Sequence, residues 1–140
     1  MSPANQLVWK DEWNTGFASI DQQHKKILLA IKAMDRSFSQ DTDQAIVEKL
    51  FSALEAYTKV HFSFEEKIME RVKYPQLEAQ KKEHQTFIEH IQDFRNRSKD
   101  PLEFNETMSR VQSYLLDWLI NHVLEMDMEY KAYFKKAGVK

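Results

Sequence analysis

The chain has 140 residues, a formal net charge of −2, 42% hydrophobic residues and 30% charged residues. These values are typical of one globular domain and give no electrostatic case for binding nucleic acid or an anionic membrane. No cysteine is present, which excludes disulfides and thiolate-ligated metals, and with no signal-peptide or membrane-spanning run we expect a cytoplasmic protein.

The chain is predicted to divide into an N-terminal arm, 1–18, and a four-helix domain, 19–140. Two glycines and three prolines leave room for long helices and disfavour an all-β fold. Trp9, Trp13 and Phe17 should pack the arm against the domain, because aromatic rings gain free energy by leaving water.

Four amphipathic segments have apolar residues spaced by alternating steps of three and four. Ser19 with Gln22 resembles a capping box that opens the first helix, and Asp41 with Gln44 should open the second. The positions predicted to face inward are Ile20, His24, Ile27, Ile31, Met34 and Phe38 in the first helix, and Leu50, Leu54, Tyr57, His61, Phe64 or Glu65, and Ile68 in the second.

The third and fourth helices are predicted from proline positions and from the same spacing. Tyr74 should end the second helix, Pro75 should lie in the first turn of the third, and Asp100-Pro101 with Glu103 should start the fourth. Short connections between long helices predict an all-α, up-down-up-down four-helix bundle. Gly138 should mark the end of the last segment of the chain. The inward positions are Leu77, Gln80, His84, Phe87, Ile91 and Phe94, then Met108, Val111, Leu115, Trp118 and His122.

Each of the four segments has one histidine at an inward position. A hydrophobic core has no use for four imidazoles, because each buries a donor and an acceptor that need partners. Four rings that converge from four helices fit a metal centre better, whereas His90 falls on another face and should be exposed. The four inward histidines are His24, His61, His84 and His122.

The spacing of His61 and Glu65 places both side chains on one face of a helix, one turn apart, whereas Glu66 should point away. Imidazole and carboxylate ligands without sulfur indicate iron, manganese, zinc or copper and disfavour calcium and magnesium. Two metals bridged by carboxylates would use all four histidines. The Glu-x-x-His pairs of ferritin-type di-iron bundles are absent from the sequence.

Six stretches of the chain combine in a recognisable order and spacing: Ile20 to Lys25, His61-Phe62 with Glu65-Glu66 and Met69, Tyr74-Pro75, Lys81 to His84, Trp118 to His122, and Asp127 with Tyr130. In these stretches the chain resembles the hemerythrin family, specifically the single-domain bacterial hemerythrins, over nearly its whole length. The arm, with Trp9 and Asn14-Thr15-Gly16, is similar as well.

The resemblance implies two iron ions in an oxo- or hydroxo-bridged, non-haem centre that binds dioxygen reversibly, for carriage, storage or sensing. Azide, peroxide and nitric oxide are the other small ligands considered, and the protein is expected to be monomeric. The implied ligands are His24 and His61 on one iron, His84 and His122 on the other, and Glu65 and Asp127 as bridges.

The resemblance also implies an apolar oxygen pocket lined by Phe62, Trp118, Leu119 and Val123. For Phe62, Trp118 and Leu119 core packing is at least as good an explanation, and the two roles are compatible. Asp127 rests on the family pattern alone. It lies five residues after His122, about 140° round a straight helix, so that Glu125 is nearer to the inward face unless a bend or wide turn intervenes.

The pattern departs from the family at Gln80, where a further histidine normally stands four residues before His84. The amide could hydrogen-bond to a neighbour, ligate iron weakly, or leave the second iron loosely held. Open coordination there could also favour turnover of peroxide or nitric oxide, which makes a di-iron oxidoreductase the alternative to an oxygen-binding protein. A sensor that works through a separate partner protein is the third hypothesis, and no catalytic residue is assigned.

Overall fold

The computed structural model of the protein describes residues 8–39 and 44–139, the side chains of 37–39 excepted. A short 3-10 turn, Asp11–Trp13, precedes four long helical segments, which we call rods. The first three rods are α1, α2 and α3, and the fourth consists of α4, a π-helical segment and α5. α1 contacts α2 and α4, and α3 contacts the same two helices, which confirms the predicted four-helix bundle. The helices are α1 (Ala18–Ser39), α2 (Gln44–Arg71), α3 (Leu77–Arg97), α4 (Phe104–Trp118), the π segment (Leu119–Met126) and α5 (Asp127–Lys136).

The start of α1 differs from the prediction, because Ser19 lies inside the helix and not at its cap. The Asp21 carboxylate accepts the N–H and the hydroxyl of Thr15 at 2.7 Å each, and the N–H of Gly16 at 3.2 Å. Gly16 has a φ of 90°, a conformation that glycine adopts without steric cost. These bonds fix the arm to the first turn of α1. The predicted opening residue of α2, Asp41, and the side chain of Phe38 lie outside the described residues.

The end of α2 is a Schellman motif built on a residue that is not glycine. Lys73 has a left-handed φ of 57°, and its N–H donates to Glu70 O at 3.2 Å. The N–H of Tyr74 donates to Met69 O at 2.8 Å. Together these two bonds are the pair that closes a Schellman cap, with Lys73 in the position that glycine normally occupies.

The starts of α3 and α4 fall later than predicted. Pro75 lies in the turn before α3, since the left-handed residue has already reversed the chain, so its predicted place in the first turn of that helix was wrong. Asp100 Oδ1 accepts the Leu102 N–H at 2.9 Å in an Asx-type turn, and α4 begins at Phe104.

Replacing Lys73 with glycine is expected to stabilise the protein by about 0.5–1 kcal/mol, because glycine enters the left-handed region without the Cβ clash of an L-residue. The measurement is the urea midpoint of the metal-free protein. Lys67→Gly, at an exposed site within α2, is the control and should destabilise by about 1 kcal/mol. Equal losses in both variants would show that Lys73 is not strained.

The predicted inward positions are mostly buried, and Tyr57 is the clear exception at 45% exposed. Thr58 is buried instead, and its hydroxyl donates to Leu54 O at 2.9 Å. The inward face of α2 therefore passes through Thr58, and farther along the same helix it presents Glu65, with Phe64 only partly buried.

The buried apolar residues form two clusters, and the polar site lies between them along the rods. The larger cluster includes Ile27, Phe51, Phe87 and Leu115. None of the described helices is long and apolar enough to cross a membrane. The second cluster, at the end that carries α5, is Phe17, Ile20, Ile68, Met69, Tyr74, Tyr130 and Phe134.

Candidate metal centre

One histidine from each of the four rods reaches a single polar site in the bundle interior. The Nε2 atoms of His24 and His61 are 3.0 Å apart, and those of His84 and His122 are 3.2 Å apart. No more than 2% of any of the four residues is exposed. The imidazoles therefore form two pairs, each with its Nε2 atoms turned toward the other ring and away from water.

Two buried carboxylates lie between the histidine pairs. Glu65 Oε1 is 2.8 Å from His61 Nε2 and 3.5 Å from His84 Nε2, so it reaches both pairs. Asp127 turns Oδ2 toward His24 at 3.1 Å and Oδ1 toward His122 at 3.3 Å. Each carboxylate is fully buried and spans the two pairs. We call these four histidines and two carboxylates the metal cage.

The π segment explains why Asp127 faces the cage. The backbone N–H of Asp127 donates to His122 O. This bond joins residues five apart in the chain, whereas the hydrogen bonds of an α-helix join residues four apart. The wider turn puts residues five apart on one face, whereas Glu125, nearer the inward face of a straight helix, is exposed. The structure thus contains the wide turn that would let Asp127 point inward.

The charges within the cage follow from burial and from the close contacts. Burial lowers the pKa of His61 and raises that of Glu65, but their mutual contact more than offsets burial. The pKa of His61 therefore rises to about 9, and that of Glu65 falls well below its usual value. Burial also raises the pKa of Asp127, yet the neighbouring histidines hold it below its usual value. Without metal, imidazolium protons balance the two ionised carboxylates.

The spacing of the ligand atoms in the cage is compatible with two metal ions. Imidazole nitrogens bind a metal ion at about 2.1 Å, and two such bonds that meet at a right angle place the two nitrogens ~3.0 Å apart. The distance between the Nε2 atoms within each histidine pair is close to this value. The potential ligand atoms fall into two buried groups, each within 4.8 Å, that share Glu65 and Asp127. One group adds His24 and His61 and the other His84 and His122, the division that the family resemblance implies.

The outer nitrogens of two cage histidines are hydrogen-bonded, and sequence reasoning missed both partners. His61 Nδ1 donates to Gln23 Oε1 at 2.7 Å, and His84 Nδ1 donates to Glu66 Oε2 at 2.8 Å. A proton held at Nδ1 leaves the Nε2 lone pair directed into the cage, as a metal requires. Glu66 does point away from His61, as predicted, but toward the histidine of the neighbouring helix.

Two further side chains contact the cage carboxylates from outside. The hydroxyl of Tyr130 donates to Glu65 Oε2 at 2.7 Å, and burial together with the Glu65 charge raises the pKa of that phenol well above its usual value. Gln80 is fully buried, and its Nε2 donates to Asp127 Oδ1 at 3.1 Å. Its Oε1 has no hydrogen-bond partner among the described residues. Gln80 thus lies beside the cage as a hydrogen-bond donor in this structure.

The predicted oxygen-pocket residues are all buried, and two of them cover the histidines of the second pair. Phe62 stacks on His84 with ring centroids 4.0 Å apart, and Trp118 stacks on His122 at 5.0 Å. Leu119 and Val123 complete this apolar wall. A cleft of about 370 Å³, bordered by Trp118 and His122, opens beside the wall between α3 and the fourth rod.

The arm packs near the first pair of histidines. Trp9 Nε1 donates to Asn14 Oδ1 at 2.7 Å, and the Trp9 ring lies 6.4 Å from that of His24. Phe17 is buried, while Trp9 and Trp13 are partly buried and pack edge to face. His90 is exposed, as predicted, and stacks on Tyr114.

Comparison with known proteins identifies relatives over most of the chain. The family model "Hemerythrin HHE cation binding domain" matches residues 15–134. The bacteriohemerythrin of Pseudomonas paraeruginosa is 34% identical over 124 residues, 89% of this chain and 78% of that protein. The bacteriohemerythrin of Clostridium acetobutylicum is 30% identical over 128 residues, covering 89% and 98%. A crystal structure of a hemerythrin mutant shares the fold, with a TM-score of 0.75 at 23% identity over 91% and 95% of the chains.

Proposed function

Because the chain belongs to the hemerythrin family of HHE cation-binding domains, we propose that it is a non-haem di-iron protein that binds dioxygen reversibly. The observation that supports this most is the pair of buried ligand groups that share two carboxylates. One shared acid would be compatible with adjacent independent sites, whereas two shared acids favour a dinuclear centre. Carriage, storage and sensing are the roles that such binding would serve.

The assignment of ligands follows the two groups. We place His24 and His61 on one iron and His84 and His122 on the other, with the two carboxylates of the cage as bridges. These residues would hold two ferrous ions, which would supply the electrons and the open coordination that reversible dioxygen binding needs. Iron is preferred over manganese and zinc on the strength of the family, since the donor set alone allows all three.

The chain's own contribution is to orient the ligands and to keep water away. The Nδ1–H bonds to Gln23 and Glu66 set the orientation of one histidine in each pair. The rings of Phe62 and Trp118 replace water against the second pair, which would slow loss of bound oxygen through protonation and oxidation. We further propose that the protein is a cytoplasmic monomer with dioxygen as its ligand, in agreement with the lack of cysteine.

The test is to load the protein with ferrous iron without air and to measure iron per chain and the visible spectrum. Air should produce a charge-transfer band, and purging with argon should remove it without loss of iron. A zinc-loaded sample is the matched control and should show no band. Two irons per chain with no oxygen-dependent band would refute reversible binding while leaving the di-iron site intact.

Replacing Glu66 with alanine is expected to weaken iron binding by about 10–100-fold, because His84 loses the partner that fixes its ring and its tautomer. Competition with a chelator measures the change. Glu70→Ala removes an exposed carboxylate one turn further along α2 and should bind iron as the parent protein does. If both variants lose iron equally, the effect is one of surface charge and not of this contact.

A further inference from the structure

We propose that Tyr130, Tyr74 and Tyr133 form a path for one-electron oxidation from the metal cage to the protein surface. The path would carry oxidising equivalents out of the site when hydrogen peroxide reacts there, and so protect the buried ligands. This inference rests on the proposed di-iron function. It adds a redox role for three of the five tyrosines, none of which is a ligand.

The first step of the path is set by the contact between Tyr130 and the cage. The hydroxyl of Tyr130 donates to Glu65 Oε2 at 2.7 Å, and Tyr130 is completely buried. A phenol gives up its proton when it loses an electron, so a tyrosine with no access to water, such as Tyr130, needs an acceptor in place before it can be oxidised. Glu65 is such an acceptor, because its other oxygen faces the histidine pairs and this one faces the phenol.

The remaining steps are short ring-to-ring contacts that end near solvent. The ring of Tyr74 lies 6.3 Å from that of Tyr130, and the ring of Tyr133 lies 5.3 Å from that of Tyr74. Tyr74 is 8% exposed, whereas Tyr133 is only partly buried, so exposure increases along the path. The hydroxyl of Tyr133 lies 3.1 Å from both Val72 O and Lys73 O, at the turn after α2.

The tryptophans near the cage are less suited to the first step. Trp118 stacks on His122, but its Nε1 has no hydrogen-bond partner in the described part of the chain. Trp9 lies beside His24, and its Nε1 donates to the amide oxygen of Asn14, which is a poor proton acceptor. Tyr130 combines contact with a cage ligand and a carboxylate that can take its proton.

The chemistry balances with hydrogen peroxide as the oxidant. One peroxide and two tyrosines give two waters and two phenoxyl radicals, because each phenol supplies one electron and one proton. For the first equivalent, Tyr130 gives its electron to the site and its proton to Glu65. An electron then passes from Tyr133 through Tyr74 to Tyr130, the proton returns from Glu65, Tyr133 releases its own proton to water, and the peroxide oxygens take up one proton from water. The second equivalent follows the same route from Tyr74, so that the net change is the loss of one hydrogen atom from each of Tyr133 and Tyr74.

The iron-loaded full chain is treated with hydrogen peroxide, and one sample is frozen for electron paramagnetic resonance. A second sample is treated in the presence of a nitroso spin trap, and the radical adducts are located by peptide mass spectrometry. We expect a tyrosyl signal and trapped radical at Tyr133. Both Tyr130→Phe and Tyr74→Phe should reduce the adduct at Tyr133 at least tenfold, and Tyr74→Phe should leave a radical at Tyr130. Tyr57 is an exposed tyrosine on α2, and Tyr57→Phe should leave both the tyrosyl signal and the adduct at Tyr133 unchanged.

Iron content and the oxygen-dependent band are measured on every variant, which separates the two proposals. If the parent protein binds no iron, both the di-iron function and the path are wrong. If it binds iron and oxygen but the Tyr133 adduct persists in Tyr74→Phe, or the radical is on Trp9 or Trp118, the path alone is overturned. Tyr74 does not contact the cage, so this variant decides the question even if Tyr130→Phe holds iron poorly.

Discussion

Replacing Asp127 with asparagine is expected to lower bound iron from two per chain to one or fewer, with no loss of helix content. The carboxylate turns one oxygen toward each histidine pair, at 3.1 Å from His24 and 3.3 Å from His122. An amide of the same shape keeps one acceptor oxygen and loses the negative charge. The affinity for iron should fall by more than ~100-fold. This figure is the upper end of the loss seen when a hydrogen-bond partner of a ligand is removed, and here the proposed ligand itself is changed.

The control for this prediction is Glu125→Gln, which makes the same chemical change two residues away on the π segment. Glu125 is exposed, so its variant should keep both irons and the oxygen-dependent band. Iron is measured after gel filtration in dilute chelator, and helix content by circular dichroism. Full iron content in Asp127→Asn would mean that Asp127 neutralises the cage without bridging the metals.

Much of the fold could be predicted from spacing, because each rod buries one face and that face repeats every three or four residues. The four histidines were placed inward on this basis, and all four are buried. The prediction is wrong at Tyr57, because the inward face of α2 continues from Leu54 by a step of four residues, to Thr58, and not by a step of three. An apolar spacing pattern does not predict the burial of Thr58, which is polar. Its hydroxyl can be buried because it donates to a carbonyl oxygen of its own helix, Leu54 O.

The position of Asp127 could not be predicted from spacing, since that argument assumes a straight α-helix. The π segment changes the angle between His122 and Asp127, and nothing in the composition of Leu119–Met126 announces it. The family pattern pointed to Asp127 without giving a reason, and the extra residue in the turn supplies a geometric one.

Contacts between rods were also beyond prediction from one chain. The geometry of α2 alone predicts that Glu66 points away from His61, and its partner, His84, lies on α3. Likewise, Gln23 on α1 meets His61 on α2, and Tyr130 on α5 meets Glu65 on α2. Such contacts depend on how far one rod is displaced along another, which packing decides and local periodicity does not encode.

Replacing Gln80 with histidine is expected to tighten binding of the second iron by about 10–100-fold, because an imidazole is a far better iron ligand than a neutral amide. Gln80 is completely buried beside Asp127 and uses its Nε2 as a donor, while its Oε1 lacks a partner among the described residues. The Gln80 side chain therefore supports the carboxylate of Asp127, and the same position is close enough to place a ring nitrogen at the cage. The measurement is iron release to a chelator, resolved into a fast and a slow phase.

Three variants at this position separate support of Asp127 from ligation. Gln80→His should slow the fast phase, and Gln80→Leu should accelerate it, because leucine leaves Asp127 Oδ1 without its donor. Lys82→His adds an imidazole at an exposed site two residues along α3 and should release iron at the parent rate. Slower release in Lys82→His would mean that any added histidine retains iron. Unchanged release in Gln80→His would mean that an imidazole at this position adds nothing to the binding of iron.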